Sequence, residues 1–330
     1  MYWLRKIWSP ELFQGGYKTR NYFEGWYYKL ISADYKHIYA VIPGIALGSK
    51  PADAHAFIQV INGSTGRTDY FKYPLADFTS DQRRFAIAIG ANSFSREAIS
   101  LNLASSDLQI RGELHFYDII PFPKTFRNPN IMGPYSFVPF MECYHCIVNV
   151  NHKISGDLLI NGHMTDFSSG EGYLEKDYGK SFPSEWIWIQ ANHFDKQTCF
   201  MFSLARIPWL GSSFIGLICF LLIGKQLYRF ATYNGAKLER ISLQDKILEA
   251  TIVKKDQVLV FKATGSPGGF LQAPKNGLMA RQIEETITAR VEVMLTDSSD
   301  IIFQGQSDNC GMELSTGVEK ITNMHTQETH

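Results

Sequence analysis

Acidic side chains set among aromatic ones are the residues of this chain best suited to chemistry, and they gather in two stretches. In Tyr22-Phe23-Glu24-Gly25-Trp26-Tyr27-Tyr28-Lys29, strand alternation puts Tyr22, Glu24, Trp26 and Tyr28 on one face. A carboxyl walled by aromatic rings has its charged form disfavoured, which raises its pKa and makes it a proton donor. The same glutamate paired with an arginine or with backbone amides is instead a structural ion. In Gly170-Glu171-Gly172-Tyr173-Leu174-Glu175-Lys176-Asp177-Tyr178-Gly179, an extended backbone gives Tyr173, Glu175 and Asp177 a common face. Two carboxyls so close hold one proton between them, as general acid chemistry requires. The competing role is structural: a turn cap, or pairing with Lys176 or Lys180.

A third stretch, Trp186-Ile187-Trp188-Ile189-Gln190-Ala191-Asn192-His193, offers an aromatic wall of Trp186 and Trp188 with Gln190 and Asn192 to orient a ligand. His193 falls on the other face, as a structural or a site histidine. Glu142-Cys143-Tyr144-His145-Cys146 has the look of a metal motif. Alternation, however, sends Cys143 and Cys146 to opposite faces, and no second ligand pair accompanies them. No metal site is expected. Gly63-Ser64-Thr65-Gly66-Arg67-Thr68 lacks the lysine of a phosphate loop, and neither a nucleophile elbow nor a dinucleotide fingerprint is present. No cofactor is indicated.

The elements that must position these residues read as strands. Ala56–Ile61 runs into the turn Asn62-Gly63-Ser64-Thr65-Gly66, and similar runs recur at 85–89, 108–116, 218–223, 248–253 and 258–263. The best helical candidate, around 275–285, contains Gly277 and reads as a loop with one helical turn. Self-comparison finds Glu24-Gly25-Trp26-Tyr27-Tyr28 echoed by Glu185-Trp186-Ile187-Trp188, then Asp34 and Lys36 by Asp195 and Lys196, and Pro43 by Pro208. The expectation is an all-β protein of two barrels or sandwiches related by internal duplication. Ser168, Ser169, Gly170 and Gly172 place the division between residues 1–168 and 169–330. The tail from Thr322 to His330 is polar.

Composition narrows the partners. Thirty-two basic residues balance thirty-two acidic ones, so nothing favours nucleic acid or an anionic surface. Forty-five per cent apolar residues in 330 suffice for two cores. Five cysteines without framework spacing fit a reducing compartment, and a start that meets Pro10 and Glu11 before any apolar run lacks a signal pattern; a cytoplasmic protein is expected. The uncharged run 207–224 is broken by Pro208, Gly211 and Gly216, so it suits a buried strand better than a membrane span. Peripheral membrane contact stays compatible with it. Oligomeric state leaves no trace in the sequence.

The chain resembles the tocopherol cyclase family. The likeness rests on Trp8-Ser9-Pro10 through Phe13-Gln14-Gly15, on Tyr22 to Lys29, and on Gly172-Tyr173-Leu174-Glu175-Lys176-Asp177-Tyr178-Gly179 leading into Phe182-Pro183, Trp186-Ile187-Trp188 and Gln190 to Phe194. Tyr178 departs from it, standing where that family commonly has tryptophan. The resemblance implies two lipocalin-like β domains and a cofactor-free reaction in which a prenylated hydroquinol closes to a chromanol. A more distant likeness to carotenoid hydratases, whose Tyr-x-Asp motif Tyr173-Leu174-Glu175 matches with glutamate for aspartate, makes Glu175 the first choice of acid. Asp177 or Glu24 would then take up the phenolic proton. Tyr22, Trp26, Tyr28, Tyr173, Tyr178, Trp186, Trp188, Gln190, Asn192 and His193 would line the site for an apolar prenylated substrate. The rival reading is a non-catalytic lipocalin-like carrier of an apolar small molecule; an adaptor acting through β edges is the third.

Overall fold

The computed structural model describes residues 6–194, 197–209 and 211–322. Asp195 and Lys196 of the repeat, and the tail beyond Thr322, lie outside the described residues. The chain divides into two compact units, residues 1–182 with 271–282 and residues 183–270 with 283–330.

The first unit is a single antiparallel sheet rolled into a nearly closed barrel. Its strands are β1 (Tyr22–Ile31), β2 (Ile38–Leu47), β3 (His55–Asn62), β4 (Thr68–Pro74), β5 (Phe78–Ser80), β6 (Ala86–Ile89), β7 (Asn92–Ser95), β8 (Ala98–Ala104), β9 (Gln109–Pro121), β10 (Cys143–Ile160), β11 (His163–Asp166) and β12 (Glu171–Gly179). The order is β4-β3-β2-β1-β12-β10-β9-β8-β7-β6-β5, with β11 paired to β10. Every other residue of β1 points inward: Tyr22, Trp26, Tyr28 and Leu30 join Phe85, Phe94, Phe116 and Leu174 in the core. β8 buries only alternate residues, as a strand with one solvated face does, whereas β1 is buried almost throughout, so both of its faces are covered.

The second unit repeats the plan. Its sheet holds β13 (Trp186–Ala191), β14 (Thr198–Trp209), β15 (Ser212–Ile223), β16 (Gln226–Ala231), β17 (Lys237–Gln244), β18 (Ile247–Lys254), β19 (Gln257–Thr264), β20 (Gly269–Lys275), β21 (Leu278–Asp297) and β22 (Asp300–Leu314), of which residues 271–282, in β20 and the start of β21, count with the first unit. The order is β16-β15-β14-β13-β22-β21-β19-β18-β17, with β20 beside β21. In each sheet the first strand lies between its successor and the last strand, and the early hairpins run off to one side. That shared strand order is the structural form of the duplication, and the fold is lipocalin-like and nearly all β.

One expectation meets a different outcome. The segment around 275–285 is a hairpin: Asn276 and Gly277 have φ of 52° and 76°, the paired positive values of a type I′ turn, and the long strand β21 follows. The Asn-Gly pair, and not helical periodicity, was the signal to read. The cluster Ser168-Ser169-Gly170 is the turn into β12, closed by Gly170 N–H donating to Phe167 O at 2.9 Å and Ser169 N–H to Ile154 O at 2.9 Å. The compact units described above part after Phe182, with residues 271–282 returning to the first. The run 207–224 forms the end of β14 and all of β15; among the described residues no helix is long and apolar enough to cross a membrane.

Candidate functional site

The two acidic stretches become neighbouring strands. β1 and β12 pair antiparallel with Glu24 opposite Tyr178, Trp26 opposite Lys176 and Tyr27 opposite Glu175. Alternation then sorts the residues onto two faces. Glu24, Trp26, Tyr28, Lys176 and Tyr178 face the barrel interior; Tyr27, Lys29, Tyr173, Glu175 and Asp177 face outward.

Inside, Glu24 is an ion with all its bonding met. Lys176 Nζ lies 2.5 Å from its Oε1. The Gln14 and Gly15 amides donate to its oxygens at 2.8–3.0 Å and the Tyr22 hydroxyl at 2.5 Å. Lys176 also donates to Pro10 O at 2.7 Å and Leu12 O at 2.6 Å, and its ammonium rests 4.8 Å from the ring centres of Trp26 and Tyr178. Burial pulls the Lys176 ammonium down from the ordinary lysine value while Glu24 pulls it back up; burial, then Glu24, push the Tyr22 phenol well above its own. Trp26 Nε1 donates to Glu11 O at 3.0 Å and Tyr28 hydroxyl to Ser95 O at 2.7 Å. The polar ends of this aromatic wall are thus spent on the chain itself, and its rings are packed core. The structural alternative holds for Glu24, whose carboxylate clasps residues 10–15 to the barrel and lies on the opposite face from Glu175.

Outside, a different cluster forms. β10 pairs with β12 so that His145 lies opposite Asp177 and Ile147 opposite Glu175. The Tyr173 hydroxyl donates to Glu175 Oε2 at 2.7 Å. His145 stands between the carboxylates, with Nδ1 2.9 Å from Asp177 Oδ1 and Nε2 3.5 Å from Glu175 Oε2. Cys143 Sγ is 3.7 Å from Asp177 Oδ1, and burial together with Asp177 pushes its thiol well above the ordinary value. Glu175 is 4 % exposed and Tyr173 fully buried, so their bond is shielded from bulk water. Lys29, opposite Tyr173 on the same face, is fully buried too. An imidazole flanked by two carboxyls, one of them hydrogen-bonded by a phenol, can store a proton and move it between the groups.

The sequence brought Tyr173, Glu175 and Asp177 to one face, and the structure places them so. It missed His145, Tyr27 and Lys29. His145 was set aside with its two cysteines, and Cys146 does point into the core while Cys143 does not; what sequence could not supply is the pairing of β10 with β12.

In the second unit Trp186, Trp188 and Gln190 share the face of β13 opposite Ile187, Ile189 and Ala191, which build the core. Trp186 Nε1 donates to Glu313 Oε2 at 2.9 Å and Gln190 Nε2 to Asn192 Oδ1 at 3.4 Å. Asn192 and His193 follow the strand end, the first buried and the second half-buried. Glu285 lies directly opposite Glu313. Neither glutamate stood out in the sequence, because each is embedded in a long alternating strand.

Two sheets of one strand order, with a buried glutamate, a phenol and an imidazole together on the outer face of the first, define a lipocalin-like β protein. A structure of CghA with Sch210972 is similar over 89 % of this chain and 88 % of that one, at 9 % identity and a TM-score of 0.56. Kievitone hydratase from Nectria haematococca is similar over 90 % of each chain, at 8 % identity and a TM-score of 0.50. At such identities the likeness is one of fold. The tocopherol cyclase-like family model matches residues 103–316, and the chain belongs to that family.

Proposed function

We propose that the protein is an enzyme that protonates an alkene of an apolar prenylated substrate, with Glu175 as the acid, and closes a prenylated hydroquinol to a chromanol-type ring. The observation that carries this reading is the outer-face cluster, in which a buried glutamate takes a 2.7 Å hydrogen bond from Tyr173 and faces an imidazole held by Asp177.

The chemistry needs little else. The Glu175 O–H bond breaks as a C–H bond forms, and the alkene π pair leaves a tertiary carbocation. The phenolic oxygen captures the cation, and Asp177 takes the phenolic proton. That proton returns to Glu175 through His145, so the cycle is neutral in protons and electrons. Electron-rich faces of Tyr27 and Tyr173 beside Glu175 suit a cationic intermediate. Capture by water in place of the phenol is the second reading; the fold shared with a protein named a hydratase favours it.

The test is mass spectrometry of the products from a panel of prenylated hydroquinols and polyenes. Cyclisation gives an isomer of unchanged mass, hydration a gain of one water, and a carrier returns its ligand unaltered. Glu175→Gln, checked by circular dichroism for native folding, is expected to lose turnover by about 10²–10⁴-fold. Full activity in that variant overturns the assignment.

A further inference from the structure

We propose that His145, Glu175 and Asp177 also form a binding site for a divalent transition-metal ion of the zinc class, and that an ion held there withdraws the Glu175 carboxylate from acid chemistry. The three side chains each offer one donor atom, and those atoms lie within 4.8 Å of one another. A tetrahedral ion with bonds of about 2.0–2.1 Å holds its donors about 3.3 Å apart. His145 can give an ion one ring nitrogen: its Nδ1 lies 2.9 Å from Asp177 Oδ1, its Nε2 3.5 Å from Glu175 Oε2, and one donor atom from each residue lies within 4.8 Å of the others. Turning the imidazole and the Glu175 carboxylate so that one ring nitrogen stands beside both carboxylates converts the hydrogen-bonded cluster into a coordination set.

The backbone is suited to that role. His145 and Asp177 are cross-strand partners and Glu175 projects from the same face two residues along β12, so the donors stand on paired strands and not on loops. Side-chain exposures of 14 % for His145, 6 % for Glu175 and 23 % for Asp177 leave an approach on the aspartate side, where water completes the sphere. One imidazole among carboxylates selects zinc-class ions over Mg²⁺ and Ca²⁺, which take oxygen donors. The dication also neutralises two adjacent carboxylates, which a single protonated histidine does only in part.

The inhibitory half rests on the acid role proposed for Glu175; the site itself does not. Titration of the full chain with Co²⁺, read by its visible ligand-field bands, is expected to saturate at one ion per chain. Zn²⁺ should displace it, and equal concentrations of Mg²⁺ and Ca²⁺ should not. His145→Gln, and Asp177→Asn in case the first fails to fold, should each weaken binding by more than about tenfold. No saturable spectrum, or one unchanged in both variants because histidines elsewhere bind the ion, overturns the site. In a turnover assay Zn²⁺ should stop cyclisation and a chelator restore it. Turnover unaffected by a bound ion refutes the inhibition and the acid role of Glu175 while leaving the site. A missing cobalt signal alongside an inactive Glu175→Gln refutes the site and leaves the acid.

Discussion

Replacing Lys176 by Met separates the structural role of Glu24 from a catalytic one. The ammonium and the Glu24 carboxylate are both fully buried and in contact, and the lysine makes two further bonds, to Pro10 O and Leu12 O. Methionine fills the stem's volume but leaves a buried carboxylate without its cation and two carbonyls without their donor. Breaking a buried pair from one side costs about 3–5 kcal/mol. For a unit built from residues 1–182 and 271–282, at about 2–4 °C per kcal/mol, the melting temperature of that unit should fall by roughly 6–20 °C. Differential scanning calorimetry resolves it, because only one of two transitions should move. Replacing both partners, Glu24→Gln with Lys176→Met, should cost less than the sum of the single changes. Since the pair lies on the inner face, the folded fraction of Lys176→Met should keep its turnover. A Glu24→Gln variant with unchanged melting and no turnover would refute the assignment of Glu24 as a structural ion.

Two further outcomes follow from single buried groups. His152 packs against Phe116 with ring centres 4.2 Å apart and the rings tilted by 39°, and burial drives its pKa down to about 3; a folded value below the unfolded one means that the unfolded chain binds the extra proton between about pH 6.5 and 3, so stability falls as pH falls through that window. His152→Phe should flatten this part of the profile in urea melts, and a slope identical to that of the parent would show that other groups produce it. Gly277 has φ of 76°, and a Cβ there would run into Leu47 O and the Tyr22 amide, so Gly277→Ala should destabilise the first unit by at least about 1 kcal/mol. Asn276→Gly, which keeps the turn geometry, should shift stability much less in the same melt.

Most of the fold was legible because β structure writes itself in alternation. Tyr22, Trp26 and Tyr28 take one face of β1, and Trp186, Trp188 and Gln190 take one face of β13, as a period of two demands. What alternation cannot tell is which face is inside. An aromatic stripe looks the same whether it lines a ligand site or fills a barrel, and Trp26 stacked 5.7 Å from Phe85 fills one. Pairing between distant strands is equally silent: Lys176 follows Glu175 in sequence, yet the two side chains serve opposite faces, one holding Glu24 and the other Tyr173. His145 reaches Asp177 across a separation of thirty-two residues, set by the course of β10 and not by any local motif.

The duplication sharpens why, of the two glutamate clusters described, the one at Glu175 suits the proposed proton transfer. Glu24 and Glu185 correspond in the sequence echo, and each binds a cation: Lys176 for the first, Arg206 at 2.7 Å and Lys320 at 3.8 Å for the second. Three residues on, Tyr27 and Trp188 stand opposite Glu175 and Glu313 on the last strand of each sheet. The two glutamates are therefore equivalent positions of one plan. Their neighbours differ: Glu175 has the Tyr173 phenol and the His145 imidazole, whereas Glu313 has the Trp186 indole and faces Glu285 across the strands. An indole N–H donates without ever giving up its proton in water, so it fixes a carboxylate but cannot reload an acid. A phenol and an imidazole can exchange theirs. Replacing His145 should thus affect turnover in a way that no substitution at Trp186 reproduces, and a shift in the pH–rate profile on His145→Gln, absent in Trp186→Phe, is the outcome this asymmetry requires.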